Sequence, residues 1–359
     1  MTYKINPDST ITSVDELSRH ISLETEEVRA VANRYPMSIP DYYLSLIDPE
    51  DPGDPIRRMS VPSVGEMARG GTFDTSGENS NTVMQGMQHK YPQTVLILST
   101  NQCAMYCRYC FRKRMVGTKN TEIAEDLEAI FSYIKKHQEI TNVLISGGDS
   151  LMMDNAKLER YLAALTSIDH LNYIRFGTKI PVVLPQRITE DPELLQMFER
   201  YGEKKQLYVI TQFNHPRELT PASVKAVKML RQRGVVVKNQ SVLLNGVNSD
   251  PDTLAELFKK LSAAGIVPYY LFQCRPVSGV KNQFQVPLLR AYDIVEGAKR
   301  QLDGNAKCFR YAMSNVNGKV EILGKEENTM IFKYQQAKDE ADRGRLFSRT
   351  LTEEDCWVV

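Results

Sequence analysis

Short apolar runs alternate with amphipathic stretches through most of the chain. The apolar runs have the length of buried strands and lie at 94–99, 142–146, 172–176, 206–211, 235–244 and 267–273. Apolar residues at helical spacing follow each run, at 121–138, 153–167, 191–202, 220–233, 251–264 and 287–302. This alternation predicts an α/β fold with parallel strands and right-handed crossovers. Six such units predict a partial (β/α)6 barrel, whose open side would admit a substrate.

The pattern changes on both sides of this barrel. Residues 1–90 predict an N-terminal helical and loop segment, in which Ser13 caps a first helix and residues 70–88 form a loop. Residues 305–359 predict a C-terminal extension with a β-hairpin, because Asn317-Gly318 is a strong turn signal beside alternating residues. The expected division is therefore 1–90, 91–304 and 305–359.

Composition excludes several classes of protein. The chain has 359 residues, of which 42% are hydrophobic and 25% charged, with a formal net charge of +1. Near-neutral charge gives no indication of binding to nucleic acid or to a membrane surface. No apolar run approaches the length of a membrane span, and the N-terminus lacks the apolar core of a signal peptide. We therefore expect a cytoplasmic protein without nucleic-acid or membrane partners.

Three cysteines lie together on the loop that leaves the first predicted barrel strand. Cys103, Cys107 and Cys110 have C-x3-C-x2-C spacing. Three thiolates suit a [4Fe-4S] cluster, in which the fourth iron stays open to a small ligand. The alternatives are three buried free thiols or a zinc site that lacks its fourth ligand. The spacing resembles the signature of the radical S-adenosylmethionine superfamily, which implies that S-adenosylmethionine binds the open iron and that Tyr109 lies near its adenine.

Polar residues follow the other predicted strands. The second strand ends in Ser146-Gly147-Gly148-Asp149, where glycines permit close approach of the backbone to a ligand. This run resembles the motif that holds the amino group of S-adenosylmethionine, although it is also an ordinary strand-to-helix turn. We assign Thr178–Thr189 to the third strand. Further cofactor-binding candidates at strand ends, each of which could instead cap a loop, are Gln186, His215 and Gln240.

Taken together, these motifs resemble the lysine 2,3-aminomutase family over residues 85–320. The shared runs include Pro-Val-Val-Leu-Pro-Gln-Arg-Ile-Thr, Phe-Asn-His-Pro and Asn-Gln-Ser-Val-Leu-Leu, in the family's order. The resemblance implies an isomerase that generates a 5′-deoxyadenosyl radical and moves an amino group between neighbouring carbons of an amino acid. It implies a [4Fe-4S] cluster, S-adenosylmethionine and, in most members, pyridoxal phosphate. It also implies an external electron donor such as flavodoxin or ferredoxin, and it leaves a homo-oligomer open.

The resemblance carries over unevenly to the pyridoxal positions. Tyr91 matches a tyrosine of the pyridoxal pocket, but Lys90 and Thr94 stand where the family has arginines that bind the phosphate. Lys319 lies ten residues after Phe309, at the distance of the family's Schiff-base lysine, but the run before it is Ser314-Asn315-Val316-Asn317-Gly318 where the family has a run of glycines. Lys319 is therefore either the cofactor lysine or an exposed hairpin lysine.

Two arginines are predicted to contact the substrate. Arg112 matches the arginine that pairs with the α-carboxylate, unless it is only a surface charge. Arg275 replaces the aspartate that lysine-specific members use, and Ala312 replaces a second one. A buried guanidinium needs an anion, so an anionic substrate fits Arg275 better than lysine. A cofactor phosphate, or a protein carboxylate such as Asp149 or Glu218, could supply the anion instead. Alternative functions are a pyridoxal-independent radical enzyme, such as an epimerase or dehydratase, and an iron–sulfur electron-transfer or structural protein.

Overall fold

A computed structural model describes residues 9–23, 25–118 and 122–358. The N-terminal segment is mostly short helices, and the Ser13 hydroxyl accepts from the amide N–H of Glu16, as predicted. Contrary to the expected loop at 70–88, its last residues form one helix and two strands, which join the main sheet. Its elements are β1 (Thr10–Ile11), α1 (Val14–Leu17), α2 (Thr25–Arg34), β2 (Ile39–Pro40), α3 (Asp41–Leu44), α4 (Pro55–Ser60), α5 (Glu78–Asn81), β3 (Thr82–Met84) and β4 (Met87–Tyr91).

All six predicted barrel units are present. The strands are β5 (Thr94–Thr100), β6 (Asn142–Gly147), β7 (Tyr173–Gly177), β8 (Gln206–Thr211), β9 (Val236–Leu243) and β10 (Val267–Gln273). Each pairs in parallel with the next. Their crossover helices are α6 (Leu127–Lys136), α7 (Asn155–Thr166), α10 (Pro192–Gly202), α11 (Pro221–Gln232), α12 (Pro251–Ala263) and, after β10, α14 (Leu288–Lys299).

The helices begin where their sequences supply a cap. Asp126, Asp154, Asp191 and Asp250 each accept a backbone N–H of the first turn, and a proline follows the last two. The first crossover helix, α6, starts later than predicted, at Leu127. The predicted start at residue 121 lies outside the described residues.

The assignment of Thr178–Thr189 to the third strand is wrong. β7 ends at Gly177, and two short helices follow, α8 (Ile180–Val183) and α9 (Gln186–Thr189). Pro181 is the second residue of α8, and its fixed φ favours the first turn of a helix. α13 (Lys281–Phe284) is a similar short helix after β10.

The C-terminal extension contains more than a hairpin. It comprises β11 (Arg310–Ser314), β12 (Gly318–Glu326), β13 (Thr329–Ala337) and β14 (Leu346–Thr350). β11 is parallel to β10, and the other three follow antiparallel. One 12-stranded sheet therefore runs from β3 to β14 in chain order, across both predicted domain boundaries.

Contacts cross the open side of the barrel. Thr72 forms a parallel bridge to Val277, just after β10. The Lys90 ammonium of β4 donates to the carbonyl of Asn315, between β11 and β12, at 2.6 Å. The N-terminal segment and the C-terminal extension thus meet between the first and last barrel strands. None of the helices that the structure describes has the length and apolarity to cross a membrane.

Candidate functional site

A cavity of about 680 Å³ lies inside the barrel. Its walls come from the loop after β5, from the ends of the barrel strands, and from β4 and β12. It brings together thirteen of the fifteen predicted site residues: Tyr91, Cys103, Cys107, Tyr109, Cys110, Arg112, Ser146, Gly147, Gly148, Asp149, Gln240, Arg275 and Lys319. Residues from the whole length of the chain therefore converge on one space.

The cysteine loop is fixed by the N-terminal segment. The backbone N–H of Tyr106 donates to the carbonyl of Ser38, and that of Arg108 to the carbonyl of Met59. Arg108 also forms a two-point ion pair with Glu66, at 2.9 and 2.6 Å, and Lys113 binds the same carboxylate at 2.6 Å. Burial would raise the pKa of Glu66, but Arg108 and Lys113 together lower it. This buried triad ties the loop to the rest of the molecule.

The three cysteines fit a cluster rather than a single ion. All six cysteines lie within the described residues and are free thiols. Burial raises the pKa of the Cys107 thiol to about 11, so it stays protonated until a metal displaces the proton. No three His, Cys, Asp or Glu side chains in the described chain converge closely enough for one metal ion. The ligands of a [4Fe-4S] cluster bind different iron atoms, so they need not converge on one point.

The Ser-Gly-Gly-Asp turn is packed against the start of the cysteine loop. A Cβ on Gly147, whose φ is +126°, would lie 2.2 Å from the carbonyl oxygen of Thr100. A Cβ on Gly148 would lie 2.3 Å from that of Gln102. The backbone N–H of Asp149 donates to the same Gln102 carbonyl at 2.8 Å. The glycines are thus required by contact between two backbone segments, which sets the turn beside the cysteines.

The Asp149 carboxylate is buried and already accepts protein donors. One oxygen receives the Thr178 hydroxyl at 2.5 Å and the backbone N–H of Leu151 at 3.0 Å. The other receives the backbone N–H of Lys179 at 2.6 Å. Burial raises the pKa of Asp149 in spite of these bonds. Asp149 therefore braces the cavity wall.

Tyr109 lies between the cysteines and the end of β8. Its hydroxyl donates to Gln212 at 3.0 Å and accepts from the Asn214 amide at 2.7 Å. The ring is 6% exposed and meets the Phe284 ring edge-on. These contacts fix the ring on the cavity wall.

Arg112 is buried and paired, so it is not a surface charge. Its Nε donates to Glu78 at 3.0 Å, and one terminal nitrogen donates to the Ser146 hydroxyl at 3.2 Å. Burial would raise the pKa of Glu78, but Arg112 and Arg114 lower it to about 2. Arg112 is therefore held by a permanent anion from the N-terminal segment.

Arg275 has no such partner. No carboxylate among the described residues lies within 4.0 Å of it, and its Nη1 is buried without a hydrogen bond. The two carboxylates that the sequence offered as partners are engaged elsewhere, Asp149 as above and Glu218 with Lys179. Glu78 and Asp74 raise its pKa, but from beyond ion-pair distance. Its guanidinium carbon lies 4.2 Å from the centroid of the Phe111 ring. Burial lowers the pKa of Arg275 to about 10, so it stays charged at neutral pH.

Lys319 is a cavity residue, not an exposed hairpin lysine. Its ammonium contacts the Tyr270 ring at 4.8 Å. Burial, reinforced by Arg175 and Arg275, lowers the pKa of Lys319 to about 7. A large fraction of this amine is therefore uncharged at neutral pH. Tyr91 lines the same space.

The structure adds three charged residues that the sequence did not single out. Arg175 enters the cavity from β7 and donates to Asn142 at 2.5 Å, while its Nε is buried without a partner. Lys179 lines the cavity beside Cys107 and pairs with Glu218 at 2.7 Å. Glu78 supplies the counter-charge of Arg112. Only Arg175 left a signal, as a charge inside an apolar strand run.

Two predicted residues lie outside the cavity lining. Gln186 begins α9, away from the end of β7. His215 accepts from the backbone N–H of Arg217 through Nδ1 at 3.2 Å, and burial lowers its pKa. Its Nδ1 thus caps the turn that follows β8. Gln240 does line the cavity, from β9.

Comparison with known proteins gives consistent matches. The model of the radical SAM superfamily matches residues 97–258. A relative from Aquifex aeolicus (strain VF5) is 40% identical over 336 residues, which are 93% of this chain and 90% of the relative. L-lysine 2,3-aminomutase of Clostridium subterminale is 39% identical, over 82% of this chain and 71% of that enzyme. Glutamate 2,3-aminomutase of Clostridioides difficile (strain 630) is 37% identical, over 85% and 72% respectively.

Proposed function

This chain belongs to the lysine 2,3-aminomutase family of radical S-adenosylmethionine enzymes, and from that premise we propose that it moves the amino group of an amino acid with an anionic side chain. Membership implies a [4Fe-4S] cluster and S-adenosylmethionine, which supply the initiating radical when bound, and a source of electrons. Cys103, Cys107 and Cys110 would hold the cluster. The electron donor we propose is a flavodoxin or ferredoxin.

The observation that carries the proposal is a group of basic side chains that form no salt bridge. Lys90, Arg175, Arg275 and Lys319 all line the cavity. The salt bridges of the described chain include none of them, whereas Arg112 and Lys179 are each paired with a glutamate. Much of Lys319 is uncharged at neutral pH, but a buried guanidinium without an ion-pair partner is unfavourable, so bound ligands are expected to supply negative charge to Arg175 and Arg275.

We assign the substrate's two ends to the two arginines. Arg112 would receive the α-carboxylate, because a guanidinium binds a carboxylate at two points. Arg275 would receive the side-chain anion, and the side-chain ammonium of lysine would be repelled there. Similarity to named lysine and glutamate enzymes is nearly equal, at 39% and 37% identity. Overall identity therefore does not choose between them, and local charge supports the anionic substrate.

We further propose that pyridoxal phosphate binds in the same cavity. Lys319 is the amine that would hold it covalently, since its pKa of about 7 leaves much of it uncharged. Lys90 and Arg175 offer positive charge for the phosphate, although Lys90 also donates to the carbonyls of Ser76 and Asn315. Tyr91 offers a ring surface beside them. These residues compensate for the absence of an arginine at Thr94.

Two measurements on anaerobic, cluster-loaded protein test the proposal. Borohydride treatment after addition of pyridoxal phosphate should attach the cofactor to Lys319, as read by mass spectrometry, and a Lys319→Arg variant should remain unlabelled. Calorimetry should show tighter binding of glutamate than of lysine, and Arg275→Gln should weaken glutamate binding about a hundredfold or more. Unlabelled Lys319 would favour pyridoxal-independent radical chemistry. A preference for lysine would contradict the anionic substrate.

A further inference from the structure

Glu78 is a buried acid from the N-terminal segment that reaches the cavity wall. It is 4% exposed and begins α5, where its backbone N–H donates to Asp74 at 2.7 Å. One carboxylate oxygen accepts Arg112 Nε at 3.0 Å, and the other pairs with Arg114 at 2.8 Å. The acid therefore has a fixed position between two arginines.

These contacts leave one side of the Arg112 guanidinium for a ligand. Nε is bound by Glu78, and Nη1 donates to the Ser146 hydroxyl at 3.2 Å and the Gly147 carbonyl at 3.4 Å. The structure shows no protein acceptor for Nη2 among the described residues, and Arg112 lines the cavity. Anchored on two nitrogens, the planar guanidinium cannot rotate to offer another edge.

A second guanidinium lies close by. The Phe111 ring is contacted by Arg112, at 4.7 Å from the ring centroid, and by Arg275, at 4.2 Å. Two buried like charges disfavour each other, and Glu78 is the acid that offsets their repulsion. Glu78 forms an ion pair with Arg112, whereas it and Asp74 act on Arg275 only at longer range, where they raise the pKa of Arg275 against the effect of burial.

We infer that Glu78 is a positioning residue for substrate recognition, which orients Arg112 towards the α-carboxylate and keeps the two arginines specific for the two ends of the substrate. It touches neither substrate nor cofactor in this role. The inference rests on the proposed function, since it needs a substrate with two carboxylates.

Three ligands separate the two subsites. L-glutamate has both carboxylates, isoglutamine carries an amide in place of the α-carboxylate, and glutamine carries one at the side chain. Calorimetry on protein loaded with cluster, S-adenosylmethionine and pyridoxal phosphate should show that wild type binds both amides more weakly than glutamate. In Glu78→Gln, the affinity ratio of glutamate to isoglutamine should fall at least about tenfold. The ratio of glutamate to glutamine should stay the same.

Arg114→Gln is the matched control. It removes the other partner of Glu78, and Arg114 does not line the cavity, so both ratios should match wild type. Glu78→Asp keeps the charge and should restore part of the lost discrimination. If Glu78→Gln does not fold, Glu78→Asp serves as the test variant, and the expected fall in the affinity ratio is then smaller. Iron content and unfolding temperature are compared in all variants.

Each outcome decides the inference. If Glu78→Gln loses the same affinity for all three ligands, or if Arg114→Gln loses as much discrimination as Glu78→Gln, then Glu78 is only a structural ion-pair partner. A wild-type protein that does not distinguish glutamate from its amides would contradict the proposed function itself, and this inference with it. If wild type distinguishes glutamate from its amides and Glu78→Gln distinguishes them equally well, the inference alone is wrong.

Discussion

Two groups of basic side chains in and around the cavity differ in how their charge is compensated. In the paired group, beside and behind the cysteine loop, Arg108 and Lys113 share Glu66, Arg112 binds Glu78, and Lys179 binds Glu218. In the unpaired group, which is Arg175, Arg275 and Lys319, no side chain forms a salt bridge with a described carboxylate. The same residue types therefore hold the structure together in one group and stay available to ligands in the other.

The difference has an energetic meaning. Removing one member of a buried ion pair typically costs about 3–5 kcal/mol, because a charge is left without a partner. Unpaired buried cations lower the stability of the empty protein in the same way. A ligand that supplies the missing anions would bind the folded state only and raise its stability. Paired charges thus fix the position of the cysteine loop, and under the proposed function the unpaired charges would select the substrate.

The largest effect should come from removing the cysteines of the loop that the paired group holds in place. Replacement of Cys103, Cys107 or Cys110 by Ala should abolish the cluster and all cleavage of S-adenosylmethionine, since each supplies a thiolate. Iron analysis and detection of 5′-deoxyadenosine measure both. Cys308→Ala, at an exposed position, should behave as wild type. Full iron content in a triple variant would contradict the cluster assignment.

A smaller but still large effect should follow from removing the charge of Glu66, the shared acid of the paired group. Glu66→Gln leaves Arg108 and Lys113 without a counter-charge and should lower the free energy of unfolding by about 3–5 kcal/mol. Urea unfolding followed by circular dichroism measures the change. Glu139→Gln, at an exposed glutamate paired with His137, should leave the midpoint nearly unchanged. If Glu66→Gln loses less than about 1 kcal/mol, the triad does not anchor the loop.

The smallest effect concerns Lys319 of the unpaired group and is a dependence of its reaction rate on pH. Lys319 reacts with an aldehyde only as the neutral amine, and its pKa is lowered to about 7. Its rate of reaction with pyridoxal phosphate should therefore rise about tenfold from pH 6 to pH 8 and then level off. Absorbance measures the rate, and Lys333→Ala, at an exposed lysine of β13, should show the same profile. A rate that keeps rising to pH 10 would mean that Lys319 is an ordinary lysine.

Local sequence determined the repeating part of this protein. Apolar runs of strand length and helix caps are signals that lie within a few neighbouring residues. All six barrel units were therefore predicted at nearly their observed places. The cysteine motif is equally local, because its three residues lie within one loop. The errors at Thr178–Thr189 and at residues 70–88 occurred where short elements carry too few residues to show a period.

Only the tertiary structure decided which charges are paired. The bond from Lys90 to Asn315 spans 225 residues, and the pair of Arg108 with Glu66 spans 42. Nothing near Arg112 or Arg275 in the sequence distinguishes the arginine that Glu78 neutralises from the one left without an anion. Burial and partner are properties of the folded neighbourhood, because the energy of a charge depends on what surrounds it in space. Local motifs in the sequence therefore indicated the cluster and S-adenosylmethionine, and the fold located the charges that would choose the proposed substrate.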